Sequence, residues 1–185
     1  LAKRNELSAL ISYEAGKAIN EAYADVDEAI DFLNYYAREE RKITVHSDQM
    51  VSRGPIAAIT PWNFPIAIPT GMVSGPLVAG NTVILKSAEQ TPLVAQEMVD
   101  ILHQAGVPKD ALIHLPGLGE EVGQRLVEHE KVAGYVFTGS KKVGQLIAHQ
   151  AGRRFYENKL WNIRFPVKAI TELGGKNAVI VTANA

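Results

Sequence analysis

Apolar positions near the start of the chain recur at the spacing of an α-helix. Residues 5–17 and 21–41 both carry this pattern. In the second segment the apolar stripe consists of Val26, Ile30, Leu33 and Ala37. Acidic residues crowd the first turns of that segment and basic residues its end, an order that complements a helix dipole. We therefore predict two leading helices within residues 1–42, followed at 43–53 by a polar edge strand and turn.

From Gly54 onward, short apolar runs alternate with helical patterns. The predicted strands are 56–59, 82–85, 111–115, 132–137, 167–172 and 177–181. The predicted helices are a buried one inside 54–85, one from Pro92 to Gly106, and those at 120–129 and 141–151. This alternation is typical of βαβ units. It predicts an α/β fold, a Rossmann-like parallel sheet with helices on both faces.

Residues 54–85 carry no charged side chain, so a membrane span has to be considered. Five prolines and four glycines interrupt the stretch and would break one continuous helix. Gly71 and Gly75 match a membrane helix-packing motif, but close packing of a buried helix in a globular core explains them better. No transmembrane segment is expected.

Composition places the chain among ordinary globular proteins. The 20 acidic and 19 basic residues give a net charge of −1, and 46% of residues are hydrophobic. Near-neutral charge argues against nucleic acid as the main partner. The basic and aromatic residues between Arg153 and Phe165 are accordingly predicted to form a surface hairpin or loop.

The chain contains no cysteine. This excludes disulfides, thiolate metal sites and a cysteine nucleophile within these residues. The five histidines show no metal-ligand spacing, so no metal site is expected.

The ends of the sequence suggest a piece of a longer protein. Leu1 stands in helical sequence without an initiator methionine, and the last residues follow a strand-like run. No signal peptide is visible, so a cytoplasmic protein is expected.

In parallel α/β sheets, ligands bind outside the carboxyl ends of the strands. The loops at those ends begin at Thr60, Lys86, Pro116, Thr138 and Glu172. Candidate chemistry is therefore sought in these five loops.

Two of the loops contain glycine patterns that open a helix. Residues 117–123 have the spacing G-x-G-x-x-x-G, one residue longer than the dinucleotide fingerprint. Residues 137–140, Phe-Thr-Gly-Ser, precede the next helix, whose free N–H groups could bind a phosphate. A tight strand-to-helix turn explains the first pattern equally well.

Charged and amide side chains mark the other loops, each with two interpretations. Lys86 and Glu89 could hold ribose hydroxyls, although spacing alone favours a surface ion pair. Asn63, between two prolines, could donate to an oxyanion or could stabilise its own turn. Glu172 could act as a general base or could pair with Lys176.

Taken together, these segments are more specific than any one of them. In chain order they are 60–65, 80–86, 88–92, 106–108, 115–119, 137–140 and 172–176. In this order the sequence resembles the aldehyde dehydrogenase superfamily over nearly the whole chain. Residues 14–17 and 24–37 look most like the 1-pyrroline-5-carboxylate dehydrogenases. Gly71 and residues 88–92 and 115–123 are similar to the version in bifunctional proline utilisation A proteins.

The resemblance implies roles for individual residues. Asn63 would donate to the oxyanion and Glu172 would activate water. The residues implied in NAD binding are Ile59, Thr60, Pro61, Trp62, Lys86, Glu89, Gly119, Gly123, Phe137, Gly139, Ser140, Val143, Leu173 and Gly174. In this family a cysteine thiolate attacks an aldehyde, hydride passes to NAD(P)+ and water releases the acid.

The resemblance also implies what is missing. The family's nucleophile lies a few dozen residues beyond Glu172, and this chain has no cysteine. Residues 1–185 are therefore expected to be one dinucleotide-binding domain fragment, with residues 54–185 as its βαβ core and the catalytic domain absent. The chain alone is expected to be inactive and to self-associate through an open sheet edge.

The parent enzyme is expected to oxidise glutamate semialdehyde to glutamate with NAD+ in proline degradation. Two alternatives remain open at this point. One is a dehydrogenase for another semialdehyde, such as succinate semialdehyde. The other is a non-catalytic nucleotide-binding or assembly module that has kept the fold.

Overall fold

Two helices precede the sheet, as the apolar spacing predicts. The computed structural model describes residues 2–44, 51–175 and 177–182. Helix α1 spans Arg4–Ala15 and helix α2 spans Ile19–Thr44. Gly16 ends α1 with a φ of 68°, a left-handed conformation that glycine adopts without a Cβ clash. The predicted edge strand and turn at 43–53 falls mostly on residues 45–50, which lie outside the described residues.

A five-stranded sheet forms the centre of the fold, and every neighbouring pair of its strands is parallel. Its strands are β1 Ile56–Ile59, β2 Val83–Lys86, β3 Leu112–His114, β4 Gly134–Gly139 and β7 Lys168–Leu173. The order across the sheet is β3-β2-β1-β4-β7. The chain therefore starts in the middle, moves outward to β3, and returns to the other side of β1. This reversal places a topological switch point, the usual ligand crevice, between β1 and β4.

Helices cover both faces of the sheet, which confirms the predicted fold class. Helices α1, α2, α3 (Ala67–Val78) and α4 (Pro92–Gln104) pack on the face that includes Ala58 and Leu85. Helices α5 (Gln124–Glu128) and α6 (Lys141–Gly152) pack on the face that includes Ala57 and Phe137. The two faces alternate residue by residue because successive strand side chains point in opposite directions.

The uncharged stretch 54–85 folds into β1, α3 and β2. A Cβ atom added at Gly71 would lie 3.0 Å from the ring of Phe32, and one added at Gly75 would lie 3.0 Å from the ring of Tyr36. Both glycines therefore let α2 approach α3 closely, as predicted. Within the described ranges, no helix combines the length and the apolar character that crossing a bilayer requires.

The predicted helix at 120–129 begins with a turn of π-helix. Residues Gly119–Gly123 form this turn, and α5 continues from Gln124. Gly123 N donates to Leu118 O at 3.4 Å, a bond that spans five residues. A π-turn accommodates one extra residue in a helix. The long interval of the glycine pattern, from Gly119 to Gly123, coincides with this turn.

The basic and aromatic segment forms an antiparallel hairpin, as predicted. Its strands are β5 Phe155–Asn158 and β6 Ile163–Pro166. The guanidinium of Arg164 lies 4.7 Å from the ring centre of Phe155, and that of Arg53 lies 4.2 Å from the ring centre of Phe165. These arginines are thus used in packing the hairpin and its neighbour.

The prediction of a strand at 177–181 is wrong. Residues 177–182 adopt no regular element and are exposed, with Val179 at 89% and Ile180 at 85%. An apolar run becomes a strand only when a neighbouring strand supplies hydrogen bonds and covers its side chains. Strand β7, which precedes the run, pairs with β4.

Arg154 links the end of α5 to the sheet. Its guanidinium donates to Val127 O at 3.2 Å, to His129 O at 2.7 Å and to the Tyr135 hydroxyl at 2.6 Å. Tyr135 is buried, and its hydroxyl in turn donates to Val127 O at 2.8 Å. The arginine therefore adds charged donors to polar groups at a helix end.

We expect Arg154→Met to lower the free energy of unfolding by about 2 kcal/mol, because it leaves the buried hydroxyl and the carbonyl groups without this donor. Urea denaturation followed by circular dichroism measures the change. The adjacent exposed Arg153, changed in the same way, is the control and should shift stability by less than about 0.5 kcal/mol. Equal losses in the two variants would contradict the role assigned to Arg154.

Candidate functional site

The loop after β1 lies at the switch point. Its first residue, Thr60, is buried, and its N–H donates to Lys86 O at 3.1 Å, which ties the ends of β1 and β2 together. The Thr60 hydroxyl is buried as well and has no hydrogen-bond partner among the described residues. Pro61 is half-buried, whereas Trp62 and Asn63 are exposed at the tip. The loop thus presents an amide and an indole to a ligand and keeps one orphaned hydroxyl at its base.

Lys86 and Glu89 form the ion pair that their spacing suggests, but only its carboxylate lies at the surface. Lys86 Nζ lies 3.0 Å from Glu89 Oε2, and the Lys86 side chain is only 5% exposed against 41% for Glu89. The hydrogen bond from Lys86 lowers the pKa of the Glu89 carboxyl, which keeps it ionised at neutral pH. An ammonium group has three N–H donors, so this contact leaves donors for a ligand.

The lowered pKa also fixes how the pair responds to pH. The Glu89 pKa is depressed in the folded chain. The contribution of the pair to the free energy of unfolding is therefore present above the ordinary carboxyl pKa and is lost as pH falls through the lowered value.

A cleft of about 450 Å³ lies between α5, α6 and the ends of β1 and β2. The predicted site residues that line it are Ile59, Lys86, Gly119, Gly123 and Val143. A Cβ atom added at Gly119 or Gly123 would meet no atom within 4 Å. The glycines therefore leave room for a ligand against the backbone. The remaining apolar lining consists of Val127, Leu146 and Ile147.

The turn from β4 into α6 borders this cleft. Ser140 caps α6, since its hydroxyl oxygen accepts from Val143 N at 3.3 Å. A Cβ atom at Gly139 would lie 2.7 Å from the ring of Phe137, so the buried ring packs directly under the turn. A helix start of this kind, with free N–H groups and a positive dipole end, is suited to an anionic group.

The end of β7 sends its residues to opposite faces of the sheet. Leu173 packs so closely on α6 that a Cβ atom at Gly144 would overlap it. Glu172 is exposed and lines a different, apolar cavity of about 770 Å³ against α2 and α3. Gly174 is exposed beyond the strand.

The structure therefore gathers the predicted residues into two groups. Those of the cleft lie on the face of α5 and α6, while Glu172 lies on the face of α2 and α3. Asn63 and Trp62 stand on the loop at the sheet end and do not line either of these two cavities. The alternative partner of Glu172, Lys176, lies outside the described residues.

Sequence reasoning missed several polar contacts around these loops. Ser87 Oγ lies 2.8 Å from His114 Nε2, and His114 Nδ1 lies 2.8 Å from Gln96 Oε1. Burial lowers the pKa of His114. Lys17 and Asp25 form a buried ion pair beneath the loop of Asn63. No periodic pattern signals such contacts, because their partners are far apart in the sequence.

Metal ligands do not cluster in the part of the chain that the structure describes. No group of three or more histidine, aspartate or glutamate side chains there could hold an ion. His46 lies outside that part.

The structure is an α/β fold with a cleft at the carboxyl ends of its parallel strands. The family model described as "Aldehyde dehydrogenase family" matches residues 1–185. The chain therefore belongs to the aldehyde dehydrogenase family.

Named relatives show where in that family the similarity is high. The 1-pyrroline-5-carboxylate dehydrogenase of Bacillus cytotoxicus is 40% identical over 99% of this chain, which covers 37% of the relative. The bifunctional protein PutA of Rhizobium meliloti is 47% identical over 100% of the chain and 14% of the relative. The crystal structure of a 1-pyrroline-5-carboxylate dehydrogenase from Thermus with bound NAD superimposes with a TM-score of 0.82 at 42% identity. That superposition covers 95% of this chain and 35% of the Thermus chain. The chain thus spans little more than a third of the length of the two dehydrogenases and 14% of the length of the PutA protein.

Proposed function

We propose that this chain is the dinucleotide-binding part of an NAD+-dependent dehydrogenase that oxidises glutamate semialdehyde to glutamate in proline degradation. The observation that carries the proposal is the 40% identity, over nearly the whole chain, with a protein named 1-pyrroline-5-carboxylate dehydrogenase. The position of the cleft at the switch point supports it, as does the NAD bound to the similar Thermus enzyme.

The residues of the cleft fit a dinucleotide. The open space at Gly119 and Gly123 admits a ligand against the backbone. The buried Lys86 ammonium and the ionised Glu89 carboxylate offer donors and acceptors to ribose hydroxyls. The fit rests on these hydrogen-bonding groups and on the open space against the backbone.

Each part of the dinucleotide then has its own residues. Ile59 and Val143 would enclose the adenine, and Gly139 with the Ser140 helix start would bind the pyrophosphate. The remaining candidate residues, Phe137, Pro61, Trp62, Leu173 and Gly174, would line the rest of the dinucleotide site, with Gly174 beside the nicotinamide. NAD+ supplies the hydride acceptor. The protein's task is to hold it in one orientation.

Asn63 and Glu172 would carry the protein's part of the chemistry. The Asn63 amide would donate to the substrate oxygen as negative charge develops there. The Glu172 carboxylate would take a proton from the attacking water. The nucleophile would come from outside these residues, since the chain has no cysteine.

The test uses the polypeptide encoded by the whole reading frame that contains this chain. NADH absorbance is followed with glutamate semialdehyde and, separately, with succinate semialdehyde. We expect kcat/KM to be highest for glutamate semialdehyde. A higher kcat/KM for succinate semialdehyde would indicate a different physiological substrate. No turnover with either aldehyde would favour a non-catalytic nucleotide-binding module.

We expect this enzyme to prefer NAD+ over NADP+. The Glu89 carboxylate would repel a 2′-phosphate at a cost of about 1 kcal/mol, roughly five-fold in kcat/KM, which Lys141 and Lys142 would reduce. Glu89→Gln should narrow the preference, whereas Glu121→Gln, with the same loss of charge, should leave it unchanged. Comparable kcat/KM values for both cofactors in the unsubstituted enzyme would contradict this prediction.

We also propose that the chain self-associates and that the protein is cytoplasmic. Strand β7 stands at one end of the sheet order, and the apolar side chains of Ile170 and Val181 near it are 63% and 76% exposed. Such a surface favours association of copies. Sedimentation equilibrium of the chain tests the first expectation, and fractionation of the producing cells tests the second.

A further inference from the structure

We propose that Lys17, paired with Asp25, positions the loop that carries Asn63. The inference rests on the proposed function only for its catalytic consequence. The contacts that support it belong to the turn between α1 and α2, which sequence reasoning assigned to no site.

Asp25 is a buried carboxylate with two partners. Its side chain is 0% exposed, and Oδ2 lies 2.9 Å from Lys17 Nζ, whose side chain is 14% exposed. Its other oxygen, Oδ1, accepts from Ala67 N at 2.8 Å. Ala67 is the first residue of α3, and Ile66 before it offers no side-chain cap. Asp25 therefore caps α3 from a neighbouring helix, and Lys17 compensates its buried charge.

Lys17 holds the loop at a second point. Its Nζ lies 3.7 Å from the ring centre of Phe64, the residue next to Asn63. A cation this close to an aromatic ring is attracted to its face. One ammonium group thus binds both the ring beside Asn63 and the carboxylate that fixes the end of the same loop.

The position of Asn63 depends on these contacts because its own side chain is exposed. At its start the loop is fixed by the bond from Thr60 N to Lys86 O. At its end it is fixed by Asp25, and in between by the contact of Lys17 with Phe64. A donor acts on an oxyanion only when held to within about 0.5 Å of the productive geometry. Loss of Lys17 should therefore weaken the chemical step more than cofactor binding.

Glu14, three residues before Lys17, provides a matched comparison. Its two carboxylate oxygens accept from Leu93 N and Val94 N, each at 2.8 Å. These N–H groups belong to the start of α4, which follows the loop of Glu89. The junction of α1 and α2 therefore contacts the start of α4 through Glu14 and the loop of Asn63 through Lys17.

The experiment compares steady-state kinetics of the whole reading-frame protein and three variants. Lys17→Met should lower kcat about ten-fold and leave the KM for NAD+ within about two-fold. Lys17→Arg keeps the cation and should restore most of kcat. Glu14→Gln should instead raise the KM for NAD+ with little change in kcat. An unchanged kcat in a folded, active Lys17→Met protein would overturn the inference.

A second measurement does not depend on activity. In the 185-residue chain carrying Trp161→Phe, Trp62 is the only tryptophan, so its fluorescence reports on the loop. Lys17→Met should lower the Trp62 anisotropy and raise its quenching by iodide, and Glu14→Gln should change neither. If the wild-type protein forms no NADH, the proposed function fails, but this measurement still tests the positioning of the loop.

Should Lys17→Met fail to fold, Phe64→Leu separates the two contacts. It removes the ring and leaves the Lys17–Asp25 pair and its cap intact. We expect the Trp62 signal to change in the same direction and kcat to fall about three-fold. Unchanged Trp62 mobility and kcat in Phe64→Leu would overturn the role of Lys17 at the loop.

Discussion

The 185-residue chain, purified and supplied with NAD+ and glutamate semialdehyde, is expected to form no NADH. Aldehyde oxidation of this kind needs a nucleophile that adds to the carbonyl and then allows hydride to leave. The chain has no cysteine, and no serine or threonine in the described residues stands with a histidine and a carboxylate in a catalytic triad. Ser87 does contact His114, but Ser87 is buried and the next partner is the amide of Gln96.

NAD+ should nevertheless bind to the chain. Lys86, Glu89 and the Ser140 helix start are all in place for the adenosine and pyrophosphate half. Isothermal calorimetry with NAD+ is expected to detect weak binding, and NADH absorbance measured in parallel should stay at baseline. Steady NADH production that scales with the concentration of the pure chain would contradict the prediction.

Asn63→Ala in the whole reading-frame protein is expected to lower kcat by about 10² to 10³. The amide would donate to oxygen as it becomes negative, and alanine offers no donor. The KM for NAD+ should change little, because Asn63 does not line the cleft.

Stability separates this effect from unfolding. Asn63 is exposed, so Asn63→Ala should leave the melting temperature within about 2 °C of the wild type. Asn34→Ala, an exposed asparagine on α2, is the control for the loss of an amide. A kcat equal to wild type in Asn63→Ala would show that the amide only stabilises its own loop.

Local patterns were sufficient to predict most elements of the fold. Five of the six predicted strands form, because apolar runs between helical segments can be buried only in a sheet. The sixth, at 177–181, has the same pattern but does not form a strand in the residues described. Strand formation needs a partner strand, and no local pattern states whether one is present.

The sequence predicted which residue types the site contains better than it predicted where they lie. Lys86 and Glu89 pair as their spacing suggests, yet only the packing at the end of β2 buries the ammonium group. A pair with a buried ammonium group differs from a fully solvated surface pair, which contributes little to stability. The sequence also could not indicate that Glu172 would line an apolar cavity against α2 and α3, because that depends on which helices pack on which face of the sheet.

The sequence by itself therefore determined the α/β class, the loops at the strand ends and the residue types available for chemistry. It could do so because helix and strand periodicity and glycine turns are properties of neighbouring residues. Only the tertiary structure decided that Lys17, Asp25 and Phe64 meet beneath Asn63. Lys17 and Phe64 are far apart in the chain, and contacts of this kind follow from how whole helices pack on a sheet.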